Sequence, residues 1–243
     1  MRLHTVMLSS TSNTRQKKEG IHMYNIMNSG EKHIASVLLV DVSGSMSGDA
    51  IQELNEGLRV FGEALKSDSK AYGCADVCVI SFGSTVEQVV PFCPAAEYTA
   101  PVLSAGGLTV MNEAVITGLD MVELRKQEYK DVGVDYWRPW VFLLTDGVPT
   151  DNDLYQDAQQ RLQDALNNKK INFFPMGIGS GADTQTLKKY TKNGSGMVLK
   201  ASKENFQEAF VWLSSSMSVV SNSDPTMSKV ELEPLPNTIT VEL

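Results

Sequence analysis

Ser36-Val37-Leu38-Leu39-Val40-Asp41-Val42-Ser43-Gly44-Ser45-Met46-Ser47-Gly48 is the stretch that decides the fold. Four apolar residues in a row, two of them β-branched, describe a strand buried on both faces. The run stops at an acid and enters a turn of Ser and Gly. Beyond it Ile51, Leu54, Leu58, Phe61 and Leu65 recur at helical spacing, so a helix begins near Asp49. Asp41, Ser43 and Ser45 therefore share a tight turn between a buried strand and a helix. That is the carboxyl edge of a parallel sheet, where open α/β folds place their ligands. Three hard oxygens converging there suit a hard cation such as Mg2+, with Mn2+ or Ca2+ as alternatives. The competing reading of this turn, taken alone, is one that merely caps a helix. A Walker A loop needs Gly-Lys-Ser/Thr, and no Lys lies between Lys32 and Lys66. A nucleophile elbow fails because Met46 stands between Gly44 and Gly48. A phosphotransferase of the D-x-D type would need an acid where Ser43 stands.

Working outward, strands and helices alternate. Ala75 to Ser81 and Thr85 to Phe92 read as strands joined through Gly83-Ser84, an antiparallel pair at one sheet edge. Gly106-Gly107-Leu108-Thr109 precedes a helix carrying Val115, Leu119 and Val122, and a charged excursion is expected from Lys126 to Arg138. Trp140 to Thr145 is a second buried strand, again ending on an acid, Asp146. Leu154 to Ala165 is a helix, Ile171 to Met176 a strand and Thr184 to Tyr190 a short helix. Val198-Leu199 reads as a last edge strand, and Phe206, Phe210, Leu213 and Met217 as an amphipathic helix. The pattern predicts an α/β, doubly wound, mainly parallel sheet with helices on both faces. Residues 1–33 carry no sustained periodicity and are expected to be a disordered or loosely docked leader, with 34–220 the domain and 221–243 a tail. The tail either adds an extended segment to an edge or stays disordered.

Hydrophobic content of 42% and charged content of 21% are ordinary for a globular chain. A net charge of −8 argues against nucleic-acid backbone binding. No apolar run approaches the ~18–20 residues of a membrane span. Cys74, Cys78 and Cys93 lie at no zinc-ligand spacing and read as free thiols, which suits a reducing, cytoplasmic setting. All three histidines precede Ile34, so no Ser-His-Asp arrangement is available within the domain. Gly177-Ile178-Gly179-Ser180-Gly181-Ala182 fits a dinucleotide fingerprint on paper but follows a late strand, and reads better as a strand-end turn. Asp151 and Asp153 read as helix-capping residues.

Two buried strands ending in Asp41 and Asp146 would aim both carboxylates at one crevice. Thr109 either caps its own helix or brings a third hydroxyl there. Asp41-Val42-Ser43-Gly44-Ser45, Gly107-Leu108-Thr109 and Leu144-Thr145-Asp146-Gly147 together resemble the metal-ion-dependent adhesion site of von Willebrand factor type A domains. Leu143 to Asp151, and Phe210-Val211-Trp212-Leu213-Ser214-Ser215-Ser216, are similar to the bacterial tellurium-resistance TerY-like group within that family. The resemblance implies a six-stranded Rossmann-like sheet. It also implies Mg2+ held directly by Ser43 and Ser45, with Thr109 joining when a ligand binds and Asp41 and Asp146 acting largely through waters. The expected function is non-enzymatic, a metal-dependent protein contact completed by a partner's Asp or Glu. The resemblance further implies a stress-response setting with kinase- or phosphatase-like partners. A Mg2+-dependent phosphohydrolase using Asp41 is the alternative. Asp41, read as a surface-edge acid, is expected to matter little to the core.

Overall fold

The computed structural model describes residues 26, 30–69, 71–202, 206–223 and 231–242. The order is β1 (Ile34–Asp41), α1 (Asp49–Ser67), α2 (Ala71–Cys74), β2 (Ala75–Phe82), β3 (Val86–Pro94) and α3 (Met111–Asp131). Then come β4 (Trp140–Thr145), α4 (Tyr155–Asn167), β5 (Asn172–Ile178), α5 (Thr184–Lys188), β6 (Val198–Ala201), α6 (Phe206–Asn222) and β7 (Ile239–Glu242). They form one sheet ordered β3-β2-β1-β4-β5-β6-β7. β2, β1, β4, β5 and β6 run parallel, while β3 and β7 pair antiparallel at the two edges.

The sequence of β1 explains the layering. Leu38 and Val40 face the cluster that α1 and α6 cover, with Leu54, Phe61, Phe210 and Leu213. Val37 and Leu39 face the cluster under α3 and α4, with Val115, Val122 and Leu162. Both faces are apolar because both are covered. α1 and α6 approach so closely that a Cβ on Gly57 would lie 2.2 Å from the Phe210 ring, so only glycine fits that crossing.

Several sequence expectations are corrected here. The sheet has seven strands rather than six, because Ile239–Glu242 of the tail zips onto β6, opposing Ile239 to Ala201. β6 is therefore not an edge. The first part of the charged excursion, Lys126 to Asp131, is instead the end of α3, and only the remainder to Arg138 lies outside the helix. Its polar residues hid a buried face: Arg125 and Tyr129 are fully enclosed, and Lys126 nearly so. Cys74 lies on the short helix α2; Cys74 and Cys78 are free thiols, as expected, and both are buried. Of the expected leader, only Ile26 and residues 30–33 are described, and Ile26 and His33 are both buried. The remainder of that expectation lies outside the described residues. No helix among the described residues is long and apolar enough to cross a membrane.

His33 is held at the amino-terminal edge of the sheet by Asp76, near the start of β2. The Asp76 carboxylate accepts from His33 Nδ1 at 2.9 Å and from the Tyr129 hydroxyl at 2.5 Å, and Arg125 Nη2 lies 3.0 Å away. Burial works against the charged form of Asp76, but the His33 hydrogen bond and the Arg125 charge outweigh it and hold the carboxyl below the usual carboxylate range. Backbone bonds from His33 N to Asp135 O and from Trp137 N to His33 O fix the entering chain.

Removing Asp76 leaves Arg125 buried without its main counter-charge, so Asp76→Ala should cost about 3–5 kcal/mol in chemical denaturation. The sign of the pH effect follows from the depressed value. The stabilisation is present above the unfolded carboxyl value of about 3.9 and is lost as pH falls through the lower folded value. Stability curves should therefore show the gap between parent and variant closing in that acid window.

Candidate functional site

β1 pairs with β2 on one side and β4 on the other, so the chains leaving β1 and β4 turn to opposite faces and open a crevice between them. Three loops meet at this carboxyl edge. The first follows β1 and passes through a 3-10 turn, Gly44–Met46. The second carries Gly106 to Thr109 into α3, and the third follows β4.

Asp41 is fully buried at the end of β1. Its Oδ1 accepts from Ser43 N at 2.7 Å, and its Oδ2 from Thr145 Oγ1 at 2.5 Å. Burial pushes the Asp41 carboxyl above its usual value; the Ser43 and Thr145 hydrogen bonds oppose that, and the nearby Asp146 charge adds to it. Ser43 Oγ lies 3.1 Å from Ser45 Oγ, and Ser45 Oγ donates to Asp146 Oδ1 at 2.6 Å. The first and second loops are tied by Gly44 N to Gly107 O and by Gly106 N to Val42 O. Thr109 is nearly buried, with its amide donating to Thr150 Oγ1 and its carbonyl accepting from Thr150 N. It does not cap its helix: Val110 occupies that position, and the side chain that caps the first turn comes from Asp151.

Asp41, Ser43, Ser45, Thr109 and Asp146 are thus all brought to one edge, from three loops. Gly147 shows how Thr109 and Ser45 converge. A Cβ there would lie 3.7 Å from Thr109 Oγ1 and 3.8 Å from Ser45 Oγ, so the absent side chain leaves a cradle between the two hydroxyls. The donor set fits a small hard cation. Neighbouring ligands of an octahedral ion, each about 2.0–2.1 Å from it, lie about 3 Å apart, close to the Ser43–Ser45 separation. The residues 41–48, 104–113 and 145–151 contain no Lys, Arg or His, so no basic side chain in these loops offsets the acids. Among the described residues no group of three His, Cys, Asp or Glu is placed to hold a metal. A cation here would depend on hydroxyl oxygens.

Thr145 and Thr150 are the residues that sequence reasoning missed. Thr145 was legible only as the end of a strand, although its place before Asp146 was in the motif. Asp151 does cap a helix, as expected, but the helix is α3, forty residues earlier in the chain, rather than its own. The Gly177 to Ala182 segment is a strand-end turn: Gly179 has φ +80°, and a Cβ on Gly177 would meet Ala182 at 2.9 Å.

The model of the von Willebrand factor type A domain matches residues 37–211. Inter-alpha-trypsin inhibitor heavy chain H1 of Mesocricetus auratus is 24% identical over 208 residues, 81% of this chain and 21% of that protein. von Willebrand factor A domain-containing protein 5A of Rattus norvegicus is 29% identical over 168 residues, 66% of this chain and 19% of that protein. The chain therefore spans about a fifth of the length of these curated relatives. Among solved structures, the pilus adhesin SpaC of Lactobacillus rhamnosus GG in its open conformation superposes with a TM-score of 0.60 at 15% identity. That match covers 78% of this chain and 30% of the adhesin, and speaks to the fold alone.

Asp41 is not the surface-edge acid that the sequence suggested. Asp41→Ala strands two buried donors, Ser43 N and Thr145 Oγ1, and should lower stability by about 1–3 kcal/mol in the presence of chelator. Asp41→Asn keeps an acceptor and the shape, so thermal melts in chelator should place it within a few degrees of the parent.

Proposed function

The chain belongs to the von Willebrand factor type A domain family, and from that premise we propose that it is a divalent-cation-dependent protein-interaction domain. Domains of this family generally mediate protein–protein contacts and commonly bind divalent metal ions. The observation that carries the finer reading is the charge imbalance at the carboxyl edge. Asp41 is buried and its carboxyl is pushed up, Asp146 lies beside it, and three hydroxyls converge without a basic side chain in the loops. Ser43, Ser45 and Thr109 would hold the ion directly, with Asp41 and Asp146 through waters. Mg2+ is the ion we favour, because a compact octahedral set of oxygens suits it.

A bound ion would supply an electrophilic centre short of one ligand, since neutral hydroxyls leave most of its charge in place. The chain's part is to hold those hydroxyls and to keep the carboxylates one shell back. A partner's Asp or Glu side chain completes the set. The similarity of Leu143 to Asp151 and Phe210 to Ser216 to the TerY-like group supports a tellurium-resistance or stress-response setting, with a kinase- or phosphatase-like partner in a bacterial cytoplasm. The phosphohydrolase alternative is disfavoured, because phosphoryl transfer calls for positive charge around the phosphate and the three loops carry none.

Mg2+ should raise the melting temperature of the parent, and Asp41→Asn should abolish that shift. A partner captured from the native host in Mg2+ should be released by EDTA. Thr109→Ala should retain some metal affinity yet weaken the partner complex by ~2–5 kcal/mol, the cost of losing a charge-assisted interface contact. A complex that survives both EDTA and Thr109→Ala, and weakens only with salt, would mean that the partner binds elsewhere on the acidic surface.

A further inference from the structure

Thr109 reaches the crevice from the segment that starts α3, and that helix has no cap of its own. Val110 stands at its N-terminal boundary with no side-chain hydrogen bond to offer. The missing acceptor arrives from the loop after β4. Asp151 Oδ1 accepts from Asn112 N at 3.2 Å, and Asp151 Oδ2 accepts from Glu113 N at 2.8 Å. A carboxylate bonded to first-turn amides also meets the positive end of the helix dipole. Asn112 completes the clamp. Its Nδ2 donates to Asp151 O at 3.0 Å and to Asp151 Oδ1 at 3.1 Å. Its Oδ1 accepts from the Tyr190 hydroxyl at 2.6 Å.

Asn112 and Tyr190 are fully buried, so the bond between them has no water to fall back on. Burial pushes the Tyr190 phenol well up, with the Asp151 charge adding to the effect, so Tyr190 stays protonated and donates. Its ring packs edge-on to Tyr155, the first residue of α4, with centroids 6.3 Å apart. One residue before Asp151, Thr150 exchanges hydrogen bonds with Thr109 through its side chain and backbone. The clamp therefore seizes the chain on both sides of Val110, at Thr109 and at Asn112–Glu113.

We infer that Asp151, backed by Asn112 and Tyr190, is a positioning residue that sets Thr109 Oγ1 for the cation. The inference rests on the adhesion-site reading above. None of the three side chains touches the crevice hydroxyls in the bonds described; they act by fixing the short connection through Val110 between Thr109 and the first turn of α3. Sequence places Asp151 in the loop of Asp146, so the same device links a candidate ligand of the second loop to the loop that supplies the second acid.

The test is a double-mutant cycle with Mn2+ alone as the probe, its free fraction read by electron paramagnetic resonance on the full chain. Asp151→Ala should weaken Mn2+ binding about tenfold, the low end of what losing an outer-shell partner costs. In a Thr109→Ala background the same substitution should produce no further loss, because its effect passes through Thr109. The melting temperature should fall by the same amount in both backgrounds, since the helix cap is lost in each. Tyr190→Phe, which removes only the hydroxyl, should give a smaller loss of the same sign that again vanishes without Thr109, and it serves where Asp151→Ala does not fold. Unchanged Mn2+ affinity in Asp151→Ala and Tyr190→Phe, or an undiminished loss in the Thr109→Ala background, would overturn the inference while leaving the adhesion-site reading standing. Mn2+ binding that ignores Thr109→Ala itself would remove Thr109 from the ligand set and overturn the inference.

Discussion

A carboxylate buried at the end of the central strand is the constraint on which the rest of this structure depends. Asp41 has no solvent to stabilise its charge, so it must find donors in the protein. It finds one in its own turn, Ser43 N, and one on the neighbouring strand, Thr145 Oγ1. Those two bonds bend the loop after β1 back over the strand end and register it against β4. Ser43 and Ser45 are carried to the crevice by that bend, and Ser45 meets Asp146 there.

The sheet contains a second fully buried aspartate, and the contrast between the two separates structure from function. Asp76, at the amino-terminal edge, is met by Arg125, His33 and Tyr129. Its charge is answered inside the protein, and its carboxyl is held down. Asp41, at the carboxyl edge, has only neutral donors and another acid nearby, and its carboxyl is pushed up. The first arrangement is complete and locks the entering chain to α3. The second is electrostatically incomplete, which is the property expected of a place where a positive ligand belongs.

The proposed reliance on hydroxyls also explains why the site is hard to see by composition. No cluster of His, Cys, Asp and Glu marks it among the described residues, since most of the converging oxygens belong to Ser and Thr. The same chemistry gives the proposed contact its character. Direct carboxylates would neutralise a cation, whereas hydroxyls backed by one buried acid and one half-buried acid would hold it while leaving it receptive to one more oxygen. The loops that carry these oxygens are polar and short, and the β-strands beneath them supply the rigidity.

The sequence by itself determined the doubly wound α/β class, the two acid-terminated strands and the three motifs. These are local signals: an apolar run that stops at an acid, a glycine pair before a helix, a period of two or of 3.6. It also made Asp41, Ser43, Ser45, Thr109 and Asp146 candidates without showing that they meet. What it could not display was any relation between residues distant in the chain. The tail's β-branched Ile239, Thr240 and Val241 allowed an extended segment, but so short a segment becomes a strand only with β6 as its template. The end of α3 was hidden because Arg125 and Tyr129 are buried through Asp76, fifty residues earlier, rather than through apolar spacing. Only the tertiary structure decided that Asp41 is buried, that Thr109 is free of capping, and that Asp151 caps a helix that is not its own. Each of these is a hydrogen bond or burial between segments far apart in sequence, and folding alone brings such partners together.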